Sequence, residues 1–70
     1  MEMIHVESSN LEAVGYDIDE ARLEIEFKNG NAYEYYDVPQ HVYDELRAAD
    51  SKGQYAHRNI YKVYRQQRIR

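Results

Sequence analysis

At 70 residues the chain is read as a single domain over residues 1–70, near the size at which one apolar core only just outweighs chain entropy. It has no cysteine, which excludes disulfide stapling, zinc-thiolate sites and cysteine nucleophiles and points to a reducing, cytoplasmic setting. No apolar run approaches the roughly 20 residues of a membrane span, and the first residues lack the basic and apolar regions of a targeting signal, so neither membrane nor leader is expected.

Ile4 to Val6 suits a short edge strand. Residues 11 to 18 place Val14, Tyr16 and Ile18 at period two, as a half-buried strand does, with Gly15 marking a bulge or a close backbone approach. Turn chemistry follows from Asp17 to Ala21. Leu23, Ile25 and Phe27 then alternate with Glu24, Glu26 and Lys28 over a strand at 22 to 28. Asn29 and Gly30 predict a type I′ hairpin into a third strand at 32 to 36. Alternation puts Tyr33 and Tyr35 on the core face, and Glu24, Glu26, Glu34 and Tyr36 on an acidic outer face.

Pro39 suits the first position of a helix, where its fixed φ helps and its missing donor costs nothing. Val42, Tyr43, Leu46 and Ala49 form its apolar stripe, and the helix is expected to end near Asp50. Ser51 and Gln54 have capping-box spacing, predicting a second helix from Lys52 with Tyr55, Ala56, Ile60 and Val63 inward. Residues 65–70, Arg-Gln-Gln-Arg-Ile-Arg, read as a basic tail that frays or extends. The fold class is therefore α+β: a three-stranded antiparallel meander followed by two C-terminal helices packed on one face.

Candidate chemistry is thin. His5, His41 and His57 have no metal-binding spacing, and the acids at 17, 19 and 20 lack the glycine and distal glutamate of a calcium loop. Ser8, Ser9 and Asn10 are turn and capping chemistry rather than a framed nucleophile, and Glu24 and Glu26 solvate a strand face. His41 and Glu45 read as a solvated i, i+4 pair. No enzyme, metal site or small-molecule cofactor is expected.

Charge is more telling. All thirteen acids lie in residues 1–50, and residues 51–70 hold six basic groups and no acid. There Lys52, Arg58, Lys62, Arg65 and Arg68 interleave with Tyr55, Tyr61 and Tyr64, cations for phosphates beside rings for bases. Such a patch survives an acidic remainder, because opposite faces lie further apart than the Debye length of about 8 Å. The competing structural reading docks these cations on the domain's own carboxylates.

Ser8 and Ser9, Gly15 and Tyr16, Leu23, Phe27, Gly30, the Tyr33-Glu34-Tyr35 triplet, Val38 and Pro39, Ala49, Ser51, Gly53, Tyr55 and Ile60 occur in an order and spacing that resembles the KTSC domain family. That family is named for the C-terminus of some lysyl-tRNA synthetases. The resemblance spans almost the whole chain and implies a small bacterial domain of uncharacterised function, with RNA binding suggested through the synthetase association. It supplies no catalytic residues. The expected function is a non-enzymatic RNA-binding domain using Lys52, Arg58, Tyr61, Lys62, Tyr64, Arg65 and Arg68. The alternative is a protein-interaction module or homodimer that uses a sheet edge or tyrosine patch.

Overall fold

The computed structural model describes residues 1–70 as five strands and two helices: β1 (Met3–His5), β2 (Leu11–Asp17), β3 (Arg22–Phe27), β4 (Ala32–Tyr35), α1 (Gln40–Ala48), α2 (Lys52–Asn59) and β5 (Gln66–Arg68). All five strands join one antiparallel sheet in the order β1-β2-β3-β4-β5. The expected three-stranded meander is its centre. Met3–His5 supplies one edge, and the supposed basic tail supplies the other, pairing Tyr33 with Arg68 and Tyr35 with Gln66.

Register explains the two faces. Val14 lies opposite Ile25 and Ile25 opposite Tyr33, while Tyr16 lies opposite Leu23 and Leu23 opposite Tyr35, so these side chains share the face that the helices cover. Val42 and Leu46 of α1, Ala56 of α2 and Ile60 complete the buried cluster. Each fully buried Leu, Ile or Val contributes about 1.5–3 kcal/mol. On the other face Glu24 lies opposite Glu34. Arg22 approaches Glu34 to 3.5 Å and Arg70 pairs with Glu26, so the acidic row is answered by cations.

Local chemistry departs from expectation at several points. The β3–β4 connection is not type I′: Gly30 has φ +95 and Asn29 has no positive φ. Gly30 N–H donates to Phe27 O and Phe27 N–H to Asn31 O, which makes a three-residue loop with glycine in the left-handed position. Asn29 Oδ1 accepts from Asn31 N–H and steadies it. Strand β2 ends at Asp17, whose Oδ1 accepts from Asp19 and Glu20 N–H and turns the chain early, leaving Ile18 exposed. Gly15 serves a close approach: a Cβ there would lie 2.7 Å from Glu2 O and from Met3 Sδ. The register shift lies instead between Leu11 and Ala13.

Pro39 is the N-cap of α1, extended at ψ 148, with its carbonyl accepting from Val42 N–H. Helix α1 stops at Ala48 and buries Val42, Tyr43 and Leu46. Ser51 caps α2 as its spacing predicts, accepting from Gln54 N–H at 3.3 Å. The helix ends at Asn59, and the turn after it points Val63 outward while Tyr64 packs on the core. Tyr16 ties strand to helix by stacking on Tyr43 at 5.2 Å and donating to Val38 O.

Candidate functional site

The seven residues anticipated from sequence do not gather on one surface. Lys52 Nζ donates to Ala49 O at 3.0 Å and closes the gap between the helices. Arg65 lies over the Tyr36 ring at 4.9 Å on the sheet face away from the helices, where Tyr36 also bonds Glu34 and Gln67. Arg68 is on the helix side of β5, with its guanidinium donating to Asn31 Oδ1 and Arg70 O. Tyr64 packs against the core. Much of the basic segment is thus engaged by the domain itself, but through a backbone carbonyl, a ring and an amide; only Arg70, on Glu26, docks on a carboxylate as the structural reading expects.

Arg58 and Lys62 differ. Both are exposed, one on the last turn of α2 and one just beyond it, and neither makes a hydrogen bond, ion pair or ring contact. Between them Tyr61 turns inward. Its ring lies 6.0 Å from Phe27, 6.2 Å from Tyr35 and 6.4 Å from His57, the last edge-on. Phe27, Tyr33, Tyr35, Tyr61 and Gln66 enclose a shallow cleft of about 220 Å³ that opens to the surface. Tyr61 Oη is buried without a partner, and burial raises the pKa of this hydroxyl above its ordinary value of 10.0.

A second, larger concavity of about 640 Å³ lies between α2 and the β1–β2 turn, lined by Ser9, Asn10, Ser51, Gly53, Gln54, His57 and Arg58. His57 belongs to this concavity and touches Tyr61 of the cleft, so the two adjoin. Of the residues lining this concavity, sequence reasoning anticipated Arg58 alone and did not bring Ser9, Asn10, Ser51, Gly53, Gln54 and His57 together. Their signal was the Ser8-Ser9 and Ser51-x-Gly53 elements, read as turn and cap alone. No three histidine or carboxylate side chains come together in a metal-holding cluster.

Tyrosines elsewhere serve the fold. Tyr55 Oη donates to Glu45 at 2.6 Å, and its pKa is pushed up to about 12 by burial first and then by this carboxylate. Glu45 therefore joins α1 to α2 rather than pairing with His41. Tyr36 is raised for the same two reasons, through Glu34. No helix is long and apolar enough to cross a membrane.

Comparison with known proteins places this architecture. The sequence model of the KTSC domain matches residues 7–64. A KTSC domain protein from Yersinia pestis superposes with a TM-score of 0.92 at 31% identity, covering 99% of this chain and 97% of that one. A protein of Tsukamurella paurometabola is 50% identical over 50 residues, 71% of this chain and 75% of its own length. An uncharacterized protein of Stutzerimonas stutzeri is 37% identical over all 70 residues and 93% of its length. A lysine–tRNA ligase of Nostoc is 41% identical over 58 residues, which make up 83% of this chain and 10% of the ligase.

Proposed function

The chain belongs to the KTSC domain family, and on that premise we propose that it is a non-enzymatic module that binds single-stranded RNA through α2 and the turn after it. The carrying observation is that two exposed, unpaired cations, Arg58 and Lys62, stand on either side of Tyr61 in the chain, and that Tyr61 itself lines the aromatic cleft. A backbone phosphate suits each cation, and a base suits the ring cluster, whose stacking contributes about 1–3 kcal/mol per base. The similarity to a segment of a tRNA ligase supports the choice of RNA. A cysteine-free chain working on RNA suits the cytoplasm.

Pairing through a sheet edge is the weaker reading. Both edge strands are three residues long, and β5 presents Gln66, Gln67 and Arg68, a short polar edge of the kind that blunts strand addition.

Titration of labelled single-stranded RNA at two salt concentrations tests the proposal. Two phosphate contacts give a log-log salt slope of about −1.4, with affinity in the range of about 10–100 μM at low salt. A slope near −4 would mean that the whole basic segment is engaged. No binding at about 1 mM protein would reject RNA as the ligand.

A further inference from the structure

The concavity between α2 and the β1–β2 turn contains no carboxylate, although the chain carries thirteen acids. Its rim combines the donors of Arg58 and His57 with hydroxyls and side-chain amides that both donate and accept. Asn10 is held from two sides: its carbonyl accepts from Lys28 N–H at 3.0 Å, and its Oδ1 accepts from Ser8 Oγ, which leaves Nδ2 without a protein partner. Ser51 Oγ accepts from Gln54 N–H, so its own proton is free to be donated outward. Arg58 and His57 stand on the exposed side of α2, and the Ser9 hydroxyl and Gln54 amide complete the rim.

Gly53 lets the two walls meet. A Cβ at this position would lie 2.8 Å from Asn10 Oδ1, so any larger residue displaces the Asn10 side chain from α2. The depression, about 640 Å³, is open to solvent and larger than a bare phosphate needs. The aromatic cleft begins at Tyr61, in edge contact with His57.

We propose that the polar concavity holds the phosphate monoester of a nucleotide, chiefly on Arg58, His57, Asn10 and Ser51, with the base directed to the Tyr61 cleft. The choice of a nucleotide rests on the RNA reading above. The site then recognises a strand by its 5′-phosphorylated end. A monoester offers three terminal oxygens and nearly two charges, which matches convergent donors better than the single charge of a backbone diester.

Two sources of the same chemistry, an RNA terminus and a free nucleotide, are separated by one set of titrations. The uncleaved 70-residue chain is titrated with a 5′-phosphorylated RNA oligomer, its 5′-hydroxyl counterpart and adenosine monophosphate, while backbone amide shifts are followed. The phosphorylated oligomer is expected to bind about tenfold or more tightly than the hydroxyl form. Adenosine monophosphate is expected to shift the amides of Asn10, Ser51, Gln54 and His57. Replacing both His57 and Arg58 by alanine, at exposed helix positions where the fold tolerates it, should abolish the difference between oligomers. Equal affinity of the two oligomers overturns the phosphate site and leaves the RNA reading standing. If neither oligomer binds but the nucleotide shifts those amides, RNA binding falls and the site stands as one for a free nucleotide. Absence of all three responses overturns both.

Discussion

Tyr35→Ala should lower the urea midpoint of unfolding by about 3 M, whereas Tyr33→Ala, two residues away, should lower it by about 1 M. Tyr35 is 2% exposed, lies opposite Leu23 and stacks near Tyr33 and Tyr61 at the centre of the helix-covered face. Truncating a buried aromatic ring costs about 3–5 kcal/mol. A domain of this size holds about 3.5–10 kcal/mol in total, and the slope for a small protein is about 1 kcal/mol per molar urea. Tyr33 is half-buried at the rim of the aromatic cleft, so less is lost. Tyr35→Phe separates ring from hydroxyl. Burial holds the Tyr35 hydroxyl well above its ordinary pKa of 10.0. The native chain therefore keeps this proton when the unfolded chain releases it, so stability is intact below about pH 10 and declines above it. Tyr35→Phe should retain neutral-pH stability and flatten that alkaline loss.

Ending the chain at Tyr64 should cost about 2 kcal/mol, seen as a urea midpoint lower by about 2 M. The removed residues hold Ala32 N–H to Arg70 O, Ile69 and Arg70 N–H to Ala32 O, and Tyr36 N–H to Arg65 O, together with the Arg70–Glu26 ion pair. The entropy of ordering the segment opposes these contacts, so the net effect is smaller than their sum. A frayed tail would leave the midpoint unchanged. The KTSC domain match itself stops at residue 64, so β5 lies beyond it, yet the superposition on the Yersinia pestis protein spans 99% of the chain.

Strand β5 was illegible for a physical reason. Arg-Gln-Gln-Arg-Ile-Arg buries nothing, since Gln66 to Arg68 are exposed, so no apolar alternation announces it. Its backbone bonds to β4, the stacking of Arg65 on Tyr36 and the bond from Arg68 to Asn31 hold it instead, all contacts distant in sequence. Where burial drives structure, as in Leu23, Ile25, Val42 and Leu46, periodicity sufficed to place the element. Ile18 and Val63 continued their apolar periods past the point where hydrogen bonds end the strand and the helix, and both are exposed. At the candidate site, composition pointed to Arg58, Lys62 and Tyr61. It could not pair Ser9 and Asn10 with Ser51 and His57, because only the fold brings those two segments together. Nor could it separate Arg58 and Lys62 from Lys52, Arg65 and Arg68, which look alike in sequence but bond to Ala49, Tyr36 and Asn31.

That distinction gives the most direct test of the α2 face as the RNA interface: affinity for one single-stranded RNA, measured for Arg58→Ala with Lys62→Ala and for Arg65→Ala with Arg68→Ala. The first pair should lose about tenfold or more in affinity and nearly all salt dependence, and the second should stay within about twofold of the parent chain. Retained affinity in the first pair, with loss in the second, would contradict the assignment and move the interface to the β5 edge.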